Sequence, residues 1–170
     1  MYSHNVLEFV TVVVEFCRFL EDANQCERLK FNQIAVKLLP LLYLKASTLP
    51  EVELYSDEEL EQFVTETDYE FIRSSVSDLL GNSDNYLEVF TSGIEYCEEG
   101  VAASISEDLA DMYQDLKNFI SAFQLENEEV MNDALYYCQN SFCEFWGQKL
   151  LNCLRALHAN LYPLTILSDK

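Results

Sequence analysis

Apolar positions along this chain recur at intervals of three and four, and that period sorts most of it into helices. At the start, Glu8, Thr11, Glu15, Arg18 and Asp22 form one narrow polar stripe, while Val6, Phe9, Val10, Val13, Phe16, Cys17, Phe19 and Leu20 fill the other faces. So narrow a stripe belongs to a mostly buried helix, expected from about Val6 to Glu21 and placed centrally in a bundle. Asn24 with Glu27 has the spacing of a cap and its reciprocal partner. It predicts a second helix with Phe31, Ile34, Ala35, Leu38, Leu41 and Leu42 turned inward. Pro40 falls inside that pattern and, lacking an N–H, should kink or break it; Pro50 ends it.

The capping pattern recurs at Ser56 with Glu59 and at Thr67 with Glu70. It predicts a short helix over 57–65 and another over 68–80, the latter stopped by Gly81. Residues 82–100 are the least regular: Tyr86, Leu87, Val89 and Phe90 are apolar, Gly93 and Gly100 interrupt, and a short helix followed by a loop is expected. Ser104 with Glu107 opens a helix to about Phe123. Asn127 opens the last and longest, to about Leu161, before Pro163. No stretch of five or more residues alternates cleanly between polar and apolar. The fold class is therefore all-α, a single-domain helical bundle of five to seven helices with a long C-terminal helix and no internal repeat.

Length agrees, since 170 residues make one domain at ~100–200 residues each. Composition narrows the function. Thirty acids against ten bases give a formal charge of −20, which argues against binding nucleic acid phosphates or an anionic membrane surface. Four glycines leave no material for a phosphate-cradling loop, and no run approaches the ~20 apolar residues of a membrane span. The Val12-Val13-Val14 run is not read as a signal sequence, because no basic segment precedes it and Glu8 and Glu15 lie within the apolar stretch. Cys17, Cys26, Cys97, Cys138, Cys143 and Cys153 include no CxxC pair and sit mostly among apolar neighbours; they read as reduced core residues of a cytoplasmic protein.

The charge is uneven. Residues 51–135 hold 23 acids and two bases, whereas the segments on either side are close to neutral. Such a middle is either a set of solvated outer faces or a docking surface for a basic partner or divalent cations.

Most catalytic signatures are missing: no GxSxG elbow, no Walker loop, no HExxH. Only His4 and His158 exist, and neither follows a glutamate by three, so the Glu-x-x-His pair of di-iron bundles is absent. Cys138, Cys143, Cys153 and His158 would lie along one helix whose ends are about 30 Å apart, so they cannot converge on zinc. What remains is Asp108, Asp111 and Asp115, which share an arc of about 60° on the helix after Ser104. The core stripe of that helix is Ile105, Leu109, Met112, Leu116, Phe119 and Phe123, and Asp108 and Asp115 lie beside it while Lys117 points away. Like charges so spaced repel, and a basic partner or a cation would relieve them. Acidic pairs spaced by three arise about five times by chance in so acidic a chain, so the triad counts only for its place at the core boundary. Trp146 reads as a core anchor, and His158 as a side chain suited to a helix C-terminus.

Residues 85–90 (Asn-Tyr-Leu-Glu-Val-Phe), 108–117 (Asp-Leu-Ala-Asp-Met-Tyr-Gln-Asp-Leu-Lys), Trp146-Gly147 and 154–158 (Leu-Arg-Ala-Leu-His) follow one another in an order that resembles a bacterial family of small acidic proteins, domain of unknown function 5063. The resemblance implies an all-helical cytoplasmic domain without an assigned activity. It singles out Asp108, Asp111, Asp115, Arg155 and His158, and suggests an Asp–Arg contact between the last two long helices. The family pattern has histidine two residues after the Trp-Gly step; here that position is Lys149.

Two functions of different class are expected. The first is a non-enzymatic interaction module with an acidic central face, whose partner is a protein with a basic surface; it needs no cofactor. The alternative is a divalent-metal-dependent hydrolase acting on a nucleotide. There Glu95, Glu98 and Glu99 before Asp108 and Asp111 are analogous to the ExxE…ExxD carboxylates of helical pyrophosphohydrolases. Candidate binding residues in either case are Asp108, Asp111, Asp115, Trp146, Arg155 and His158. The sequence does not indicate an oligomeric state.

Overall fold

A computed structural model describes residues 3–56, 60–88 and 100–163. Helices α1 (His4–Glu21), α2 (Arg28–Ser47), α3 (Glu66–Leu80) and α4 (Ile105–Phe123) are followed by α5 (Glu128–Ser141) and α6 (Gly147–Leu161). Between α5 and α6, Phe142–Trp146 forms a π-turn, so the chain is helical without a break from Glu128 to Leu161. Counted this way the described residues form an all-helical bundle of five helices with a long C-terminal one. Among the described residues, no helix is long and apolar enough to cross a membrane.

The centre of the bundle is α4, which packs against α1, α3, α5 and α6, while α2 closes the far side against α1 and α6. All six residues of its expected stripe, from Ile105 to Phe123, are buried. The first helix is heavily buried too, through Val6, Phe9, Val12, Val13, Phe16, Cys17 and Leu20, but it flanks the centre. In α2 the buried face runs through Phe31, Ala35, Leu39 and Leu42, and Leu41, expected inside, is exposed. Asn24 lies in a short 3₁₀ turn, and Glu27 precedes α2 without a side-chain cap. Pro40 does not break α2, which continues to Ser47. Packing of Leu39 and Leu42 on either side of the proline outweighs the local cost of about 3 kcal/mol.

Two expectations fail in the connections. Residues 60–65 are not helical, and 57–59, the rest of that segment, lie outside the described residues. The described parts of this connector, 51–56 and 60–65, form a strap whose backbone bonds to side chains of the bundle. Asp133 accepts the Tyr55 and Ser56 N–H groups at 2.7 and 3.0 Å, and Asn118 Oδ1 accepts those of Phe63 and Val64 at 2.7 and 2.9 Å. Asn132 and Gln139 donate to the Glu53 and Pro50 carbonyls. The cap of α3 is then Thr65, in a reciprocal box with Asp68, two residues before the expected cap. Asp133 is only 2% exposed, so Asp133→Ala removes a buried carboxylate that accepts two strap N–H groups. The expected loss is about 2 kcal/mol, with hydrogen exchange at Tyr55 and Ser56 accelerated well beyond that of the helices.

The second failure is in 82–100. Instead of a short helix, Asn85–Glu88 forms β1 and pairs antiparallel with β2 (Val101–Ser104), Asn85 facing Ser104 and Glu88 facing Val101. Val89, Phe90, Gly93 and the three glutamates 95, 98 and 99 lie outside the described residues. Just before β1, buried Asp84 turns back on α4: its carboxylate accepts the Ser106 N–H and hydroxyl at 2.8 and 2.7 Å, and its carbonyl accepts the Ile105 N–H. This fixes the ribbon to the start of α4, where Ser104 also caps Glu107. Gly81, with φ +56°, makes the turn out of α3 that a side chain would strain.

Candidate functional site

The aspartate row faces into the bundle, and each member meets a different set of elements. Asp108, one turn into α4, is 5% exposed. Its carboxylate accepts the Tyr86 hydroxyl from β1 and the Lys149 ammonium from α6, the latter at 2.9 Å. Cys153 Sγ lies 3.8 Å from the same carboxylate. Asp111 accepts Lys149 at 2.9 Å on one oxygen and the Tyr69 hydroxyl from α3 at 2.9 Å on the other. One ammonium thus bridges two carboxylates, and two phenols close the ends of the row. The cluster ties α3, β1, α4 and α6 together.

Electrostatics match this geometry. Burial opposes the Lys149 charge, but the hydrogen bonds and charges of Asp108 and Asp111 outweigh it and hold the ammonium above the usual lysine range. Burial first, and then the carboxylates they donate to, push the Tyr69 and Tyr86 hydroxyls far above neutral pH, so both act as proton donors throughout the physiological range. Burial also raises the Cys153 thiol well above its ordinary value, which makes it an inert neighbour rather than a nucleophile. The Phe145 ring covers the ammonium at 5.1 Å.

Asp115 stands apart. Its carboxylate accepts the Ser141 hydroxyl of α5, and among the described residues no lysine or arginine pairs with it. It opens into a pocket of about 560 Å³ between the strap, α4 and α5, with Phe119, Ala122, Ala134 and Tyr137 among the walls. Burial raises its carboxyl above the usual range, the Ser141 bond works against this, and the charge of Asp111 adds to it. A carboxyl whose folded pKa is raised stabilises the fold at low pH, and that stability is lost as pH rises through the raised value. Asp115→Asn should therefore melt higher than wild type at neutral pH, the gap closing below about pH 4. A variant less stable at neutral pH would contradict this.

The remaining candidates are dispersed. Arg155 is exposed and donates to the Leu87 carbonyl at 2.7 Å, so the suggested Asp–Arg contact is not made. Lys149 makes the corresponding Asp–Lys contact, reaching both carboxylates from α6, while Arg155, six residues further along the same helix, meets the ribbon. His158 is exposed with its ring against Tyr162. Trp146 is fully buried and donates from its indole nitrogen to the Cys138 carbonyl at 3.2 Å. Of the described cysteines, Cys17, Cys138 and Cys153 are buried, Cys26 is half-buried, and Cys143, expected in the core, is exposed. Cys97 lies outside the described residues. Burial pushes the Cys17 thiol up to about 12. Lys149, Tyr69, Tyr86 and Ser141 were not foreseen as partners of the row. The one available signal was Lys149 itself, the one base between Lys117 and Arg155 in an acidic protein. Among the described residues, no group of three or more histidine, cysteine, aspartate or glutamate side chains is arranged to hold a metal ion.

Fold and cluster define a single-domain helical bundle braced by an internal carboxylate–ammonium pair. The sequence profile of the bacterial family described as Domain of unknown function (DUF5063) matches residues 1–163, and the chain belongs to that family. The chain is also similar to protein BF1032 from Bacteroides fragilis, whose crystal structure superposes with a TM-score of 0.87 at 48% identity, covering 96% of each chain. No curated protein matches.

Proposed function

We propose that the domain is a non-enzymatic interaction module that receives a protein partner with a basic surface on its acidic middle. One observation carries this: the inward aspartates 108 and 111 are consumed in bracing the bundle, while the carboxylates around the strap stay outside and solvated. Glu51, Glu53, Glu61, Glu66, Glu126 and Glu129 are all exposed. Apolar side chains stand among them, Tyr55 at 71% and Leu125 at 53% exposure. Leu125, Glu129 and Glu61 line a shallow pocket of about 220 Å³ that shares Leu60, Glu61 and Ala122 with the larger Asp115 pocket. An apolar patch rimmed by one sign of charge suits a partner of the opposite sign.

The hydrolase alternative has weaker support. It needs carboxylates free to share a divalent cation, and the Lys149 ammonium stands between Asp108 and Asp111 where such an ion would sit.

The test is a titration of isotopically labelled protein with a short polylysine peptide, followed by amide chemical shifts. Shifts concentrated on residues 51–66 and 125–130, lost in high salt and absent with a polyglutamate control, support the module. No shifts at low salt, or shifts spread evenly over every exposed carboxylate, overturn it.

A further inference from the structure

The Asp115 pocket has a chemistry more specific than the face around it. Its walls are largely apolar: Phe119 and Ala122 from α4, Ala134 from α5, and the Tyr137 ring, 40% exposed at the mouth. Its volume, about 560 Å³, lies inside the usual range of small-ligand sites, roughly 300–1,000 Å³. The polar amides in the wall are already engaged, Asn118 with the strap backbone and with Gln62 at 2.7 Å. This leaves Asp115 as the charge in the interior, with Glu61 adding a second negative group on the strap side. Anions are therefore repelled, and a strongly polar ligand finds few partners. The best fit is a single cation carried on an apolar stem.

We propose that this pocket anchors one lysine side chain of the basic partner, its methylene stem against Phe119, Ala122 and Ala134 and its ammonium on Asp115. The proposal rests on the interaction-module reading and locates its anchor point. Lysine suits the site better than arginine. The Ser141 hydroxyl already occupies Oδ2 of Asp115, so the paired oxygens that a guanidinium fork prefers are not both available, whereas a point charge needs only one. Asp108 and Asp111 already hold an internal lysine, Lys149, whereas Asp115, one further turn along α4, accepts the Ser141 hydroxyl and pairs with no lysine or arginine among the described residues.

The experiment measures binding of the same polylysine peptide to wild type, Asp115→Asn and Glu51→Gln, each first checked for an intact fold by circular dichroism and a cooperative thermal transition. Each of the two variants removes one charge, the second outside the pocket. Affinity should fall about tenfold in Asp115→Asn and less than about twofold in Glu51→Gln, since a charge-assisted hydrogen bond is lost only in the first. The amides of Ala122 and Ala134 should shift with polylysine, less with polyarginine, and not with the fully acetylated peptide. Equal losses in the two variants, or acetylated peptide still shifting Ala122 and Ala134, overturn the anchor while leaving the acidic face standing. Wild type that binds no peptide removes both. A parallel arm uses n-butylamine: if it saturates the pocket and the peptide leaves Ala122 and Ala134 unmoved, the pocket belongs to a free amine and the anchor falls.

Discussion

Lys149→Met is expected to destabilise the protein by about 3 kcal/mol, the lower part of the range for breaking a buried pair from one side. Methionine keeps an unbranched stem of the same length to Cε, with sulfur in place of one methylene, and removes the ammonium. Asp108 and Asp111 are then left facing each other with two phenols and the weakly donating Cys153 thiol as their remaining donors. The side chain of Asp108 is 7% exposed and that of Lys149 25%, so water relieves the loss only in part. Combining Lys149→Met with Asp108→Asn should restore part of the stability, because the uncompensated buried charge is what costs most. Urea unfolding at neutral pH measures both. A single-variant loss under about 1 kcal/mol would place this pair with ordinary surface ion pairs.

Gly147→Ala is expected to be of similar severity, about 3 kcal/mol, the upper end for overpacking a well-filled site. In the π-turn the Gly147 N–H reaches back five residues to the Phe142 carbonyl. That puts the carbonyl oxygen 2.4 Å from where a Cβ on residue 147 would sit. The obstacle is backbone, so no side-chain rotation relieves it. The turn has to rewind, and Trp146, whose indole bonds Cys138 and whose ring packs on Phe142, moves with it. Thermal unfolding together with Trp146 fluorescence reads both effects. An unshifted melt with unchanged fluorescence would mean that the turn tolerates a methyl group.

The main helices were legible because their signals are local and repeated. The α4 stripe, the Ser104 and Asn127 caps and the Gly81 stop all act within a few residues of themselves. The long C-terminal helix was legible as well, but the π-turn inside it was not, since one extra residue per turn hardly disturbs an apolar period. The strap was misread because Ser56 and Glu59 have cap spacing, while the groups that hold the backbone extended, Asn118 and Asp133, lie more than fifty residues away. The ribbon was missed because its strands are four residues each, too short to show alternation. At the site, the sequence placed Asp108 and Asp115 at the edge of the core, and the structure puts them there. It could not supply their partners: Tyr69, Tyr86, Lys149 and Ser141 come from four different elements and share no spacing with the row.

The central claim is that Asp108 and Asp111 serve the architecture and that Lys149 fills the place of a cation. Its most direct test is thermal unfolding of the chelator-treated protein with and without Mg²⁺, Mn²⁺, Ca²⁺ and Zn²⁺, beside Asp111→Asn. Small rises of equal size in both proteins, as general screening of a −20 chain gives, are the predicted result. A metal-specific rise of several degrees that disappears in Asp111→Asn would contradict it and put the hydrolase alternative ahead.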